Sequence, residues 1–67
     1  MKLWLGRKVW VRMPRGEWHG ATVGAVFPDG SVGAWIDSGR YMGDRVAIHP
    51  GVFRRDLRVT KPEGAKG

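Results

Sequence analysis

The chain has 67 residues, no cysteine, and 12 Lys plus Arg against 6 Asp plus Glu. That length allows one domain with a modest core, and the missing thiols exclude disulfides, thiolate zinc sites and cysteine nucleophiles. The excess of positive charge favours anionic partners: nucleic acid, a nucleotide or an acidic protein surface.

No apolar run approaches the roughly 20 residues that a membrane-spanning helix needs. Met1, Lys2, Leu3, Trp4 and Leu5 are too few for a signal-peptide apolar region. The expectation is a cytoplasmic protein with no membrane partner.

Residues 1–5 read as an N-terminal arm, residues 6–60 as one barrel and residues 61–67 as a flexible tail. Residues 8–13 alternate, with Val9, Val11 and Met13 on one face and Lys8, Trp10 and Arg12 on the other. Pro14, Arg15 and Gly16 then form turn material. Residues 18–27 are the next strand region, and the glycines inside it mark a bulge or bend. Pro28, Asp29, Gly30 and Ser31 give the strongest hairpin signal. In the strand that follows, Val32, Ala34 and Ile36 point inward and Gly33, Trp35 and Asp37 outward.

Residues 38–44 are a polar loop, and residues 45–49 a short strand with Val46 and Ile48 inward. Pro50 and Gly51 stop it. Phe53, Arg54, Arg55 and Asp56 read as one helical turn, and Leu57, Arg58 and Val59 as the closing strand. No stretch sustains a 3.6-residue period, so long helices are not expected. The fold class is all-β: a small five-stranded SH3-like barrel with one short helical turn before the last strand. An OB-fold would need a longer chain and a helix between its third and fourth strands. The expected core is Val9, Val11, Val23, Val32, Ile36, Val46, Ile48 and Leu57.

Three segments carry a family resemblance. They are Gly6-Arg7-Lys8-Val9, Trp18-His19-Gly20-Ala21-Thr22-Val23-Gly24 and Val46-Ala47-Ile48-His49-Pro50. In these the chain resembles the trimethoprim-resistant type II dihydrofolate reductases, which are SH3-like barrels. The resemblance implies a homo-oligomer with a pore shared between subunits, where NADPH and a pterin would bind. In that family a Gln and a Tyr line the pore at the positions held here by Ala47 and His49. Its early Lys has Val11 or Arg12 as the nearest counterpart. Ala47 offers none of the amide hydrogen bonds of a Gln. The fold and the oligomeric habit are what the resemblance carries over, not the reductase activity.

Among outward positions, Trp10, Arg12, Trp35, Ala47 and His49 form the candidate ligand-binding set. A strand face that interleaves aromatic and cationic side chains can stack bases and hold phosphates. Arg54, Arg55 and Arg58 add a candidate phosphate patch around the helical turn. Trp18 reads as core or rim packing, and Trp4 as an anchor for the arm. His19 and His49 read as surface or hydrogen-bonded side chains, because two His without clustered acids make a poor metal site.

The favoured function is a non-enzymatic module that binds nucleic acid through its Trp/Arg face and needs no cofactor. The alternatives are a reductase-like oligomer using NADPH and a module that binds another protein. A homo-oligomer is expected, using the face of Trp35, Ala47 and His49.

Overall fold

The computed structural model describes residues 2–66. Five strands form one antiparallel sheet: β1 (Lys8–Arg12), β2 (Trp18–Val26), β3 (Val32–Ile36), β4 (Arg45–Ile48) and β5 (Leu57–Arg58). Their order is β4-β3-β2-β1-β5, and the sheet curls into a half-barrel. A single α-helical turn, α1 (Phe53–Asp56), precedes β5, as the sequence predicts. Short 3₁₀ turns at Gly39–Tyr41 and Pro50–Val52 flank β4. Among the described residues no helix is long and apolar enough to cross a membrane.

The alternation read from the sequence divides the sheet. Val9, Val11 and Met13 of the first strand region are buried, as are Val32, Ala34 and Ile36 of β3. Ala21, Val23, Ile48 and Leu57 complete the core. Val46, expected in the core, is half-buried on the edge strand and packs against the core from outside. Leu57 is completely buried although β5 has only two residues. A Leu→Ala change in such a site removes about 2–5 kcal/mol, a large share of what a domain of this size holds.

Strand β2 pairs along both edges, and its alternation is reset once. Val23 lies opposite Ala34, but Ala25 lies opposite Gly33, so Gly24 is an extra residue in a bulge. The bulge brings Val26 opposite buried Val32, although Val26 itself, at the end of the strand, stays 47% exposed.

His19 departs from expectation. It is 1% exposed and stands in line with Ala21 and Val23 on the core face. Its ring meets Tyr41 edge-on, with centroids 5.2 Å apart. Nε2 lies 3.5 Å from a Glu17 carboxylate oxygen, and neither ring nitrogen makes a hydrogen bond among the described residues. The alternation of β2 outweighs the polarity of the imidazole, because any other phase would turn Ala21 and Val23 outward.

Both ends of the chain are tied to β2. Gly6 N–H donates to Val23 O, Val23 N–H donates to Arg7 O, and Leu3 packs on the core. The segment read as a flexible tail folds back: Lys66 N–H donates to Trp18 O and Gly20 N–H to Lys66 O, a parallel bridge beside His19. Main-chain pairing of this kind does not depend on side-chain composition, which is why a polar, glycine-containing segment gives no sign of it. Met1 and Gly67 lie outside the described residues.

Gly39 closes the cover over His19. Its φ is +81°, and an added Cβ would stand 3.3 Å from His19 Cε1 and Nδ1. Gly43 has φ +86° but open space around it. Gly43→Ala should therefore cost only the left-handed backbone term of about 1–2 kcal/mol. Gly39→Ala should cost more, as read by urea melts. Equal losses would show that the contact with His19 is slack.

Candidate nucleic-acid interface

The cross-strand register fixes what meets on the outward face. Lys8 lies opposite Thr22, Thr22 opposite Trp35, and Trp35 opposite Arg45. One row therefore crosses four strands with two cations and a tryptophan. Two residues along β1, Trp10 lies between Gly20 on β2 and Arg58 on β5. Arg12 then faces Trp18.

Each of the four tryptophans has a cation near its ring. The distances to the ring centroid are 4.3 Å for Arg7 over Trp4, 5.6 Å for Lys8 over Trp10, 4.9 Å for Arg58 over Trp18 and 5.4 Å for Arg45 over Trp35. Such pairs are worth about 0.5–1 kcal/mol at exposed sites. Sequence reasoning identified the alternation of aromatics and cations. It missed Arg45, which joins Trp35 only through the β3–β4 register.

Ala47 links two of the clefts that hold the candidate residues: it lines one with Trp35 and another, of about 270 Å³, with Arg12. Trp35 and Ala47 share an open cleft of about 400 Å³ with Phe27, Gly24, Ala25, Gly33, Arg45 and Val46. Trp35 is 51% exposed and Phe27 47%. Trp10 is half-buried, and its buried indole nitrogen has no hydrogen-bond partner among the described residues. Arg12 lines a groove with Met13, Pro14, Arg55 and Asp56 at the far end of β1. His49 does not line the cleft. Its Nδ1 accepts the Gly51 N–H at 3.1 Å and caps the turn after β4, the hydrogen-bonded role expected of a histidine outside a metal site.

The three arginines around α1 are not equivalent. Arg55 makes a two-pronged pair with Asp56 at 3.0 and 2.8 Å. That hydrogen bonding holds the Asp56 carboxyl below its ordinary range. Arg58 donates to the carbonyls of Arg54 and Leu57 and lies over Trp18. Arg55 therefore brings a neutralised charge to any patch here, and Arg58 is pinned within the face.

Asp37 is the one acid in the middle of the face. Lys8 Nζ donates to it at 2.7 Å and Thr22 Oγ1 at 3.0 Å. Its charge is matched locally, so it does not set the sign of the surface. Among the described residues no group of three or more His, Asp or Glu side chains could hold a metal ion.

No protein-family model, curated protein or solved structure matches the chain.

Exposure ranks the tryptophans, and quenching can test the ranking. Acrylamide should reach Trp4 and Trp35 readily and Trp10 poorly. Trp35→Phe should therefore remove more of the quenchable emission than Trp10→Phe. The reverse order would contradict the orientation of β3.

Proposed function

We propose that the protein is a small non-enzymatic module that binds nucleic acid through the outward face of its sheet. The observation that supports this most is the pairing of every tryptophan with a cation, in a chain of net charge +6. A ring beside a guanidinium or ammonium offers a stacking surface and a phosphate partner within one nucleotide's reach. Neutralising the central acid by Lys8 and Thr22 keeps the face free of a repulsive charge.

Titrating the protein with an oligonucleotide while following Trp fluorescence tests the proposal. Quenching is expected, with affinity that falls steeply as salt rises, because bound cations release condensed counterions. Asp37→Asn should strengthen binding, since it frees Lys8 and removes one negative charge. Its effect on stability should stay below about 1 kcal/mol, as for other exposed ion pairs. A flat titration at low salt would sink the proposal. A response to NADPH alone would favour the reductase-like reading instead.

Self-association is a second reading, favoured by one further observation. Val26, Phe27 and Trp35 are exposed large apolar side chains near β4, and β4 pairs only with β3 among the described residues. An open edge next to apolar surface invites a second chain. Light scattering at high micromolar concentration should give a mass above the 7.5 kDa of one chain. A monomer would contradict it.

A further inference from the structure

We infer that Trp35 is a platform for one unpaired base and that Gly24 is what makes it one. This rests on the nucleic-acid reading and names which form of nucleic acid the face takes.

The geometry lies at the bulge. A Cβ placed on Gly24 would stand 2.7 Å from Trp35 Nε1, 3.1 Å from Cδ1 and 3.3 Å from Cε2. Nearly equal distances to Nε1 and its two ring neighbours describe an approach onto the face of the indole. An approach along its edge would leave the neighbours much farther away. The indole therefore lies down on the backbone of β2 in space that any side chain would fill. One face rests on Gly24, and half of the Trp35 surface stays exposed.

The surroundings give the platform a direction. On one flank the cleft is lined by Ala25, Phe27, Gly33, Val46 and Ala47, and its only charged lining residue is Arg45. On the other flank, Thr22 and the Asp37 carboxylate line the surface. A flat apolar plane with a cation on one side and a carboxylate on the other matches a nucleotide with its base on Trp35 and its phosphate toward Arg45. The Arg45 guanidinium lies over the ring at 5.4 Å from its centroid, a loose cation–π contact that a stacking base can displace. Trp4 and Trp18 are more closely covered, by Arg7 at 4.3 Å and Arg58 at 4.9 Å.

A ring lying flat on a sheet cannot enter a duplex, where both faces of each base are already stacked. It can receive a base from a single strand, which is free to turn outward. The platform therefore favours single-stranded nucleic acid, while the surrounding cations bind any polyanion.

The test compares wild type, Gly24→Ala and Trp35→Ala against one mixed-sequence DNA of about 12 nucleotides, a length within the usual range of single-strand sites. Each protein is titrated at low salt with that DNA labelled for anisotropy, once single-stranded and once as its duplex. Wild type should prefer the single strand. Both variants should lose roughly 5–150-fold for the single strand, the worth of one stacked base, with little change for the duplex. Thermal melts check that Gly24→Ala remains folded, and Trp35→Ala tests the platform with the bulge intact. Equal wild-type affinity for both forms, or variants that keep single-strand affinity, would overturn the inference while nucleic-acid binding itself stood. Wild type binding neither form would overturn both.

Discussion

Strand β2 is the only strand that pairs with both β1 and β3, so its phase governs both halves of the sheet. Its residues 18–22 register with β1 and residues 21–26 with β3, so Ala21 and Thr22 are held from both sides. A uniform alternation over nine residues would not bring Val26 opposite Val32. The extra residue at Gly24 corrects the phase and bends the strand, which a small sheet needs in order to curl over its own core. The same residue leaves the space on the outer face in which Trp35 lies. One missing side chain thus serves closure on one face and presents an aromatic surface on the other.

The two faces do different work. The inner face is aliphatic, and His19 is the one buried polar side chain among the described residues. With no disulfide, stability rests on these ten apolar side chains and on main-chain pairing that recruits both chain ends. The outer face carries aromatic rings, each beside a cation, with its one central acid held by Lys8 and Thr22. Little of that face contributes to the core, so its composition is free to suit a partner. Gly24 and Gly33, which weaken a strand by their backbone entropy, make sense there as surface shape.

The sequence made much of the frame legible. Alternation in residues 8–13, 32–37 and 45–49 assigned faces correctly, because a strand buried on one side must obey a period of two. The hairpin at Asp29 and Gly30 was equally plain, and Asp29 does bond Ser31 N at 2.8 Å as such turns do. Gly within residues 18–27 pointed to a bulge without saying which glycine supplies it. The site was less legible, since it depends on register across strands. Nothing local places Arg45 beside Trp35 or lays Trp35 over Gly24. His19 was read from its polarity, but its position in β2 decides its burial. His49 and Arg55 are residue types that suit a ligand, yet their neighbours Gly51 and Asp56 engage them first.

The proton spectrum of the free protein reads directly whether the Trp35 indole rests face-down on Gly24. Protons above an aromatic face are shifted upfield by the ring current. The account predicts Gly24 Hα resonances well upfield of ordinary glycine values, with cross-relaxation between them and the Trp35 indole N–H proton. The shift should vanish in Trp35→Ala. Gly24 Hα signals at ordinary positions, with no cross-relaxation to Trp35, would contradict it.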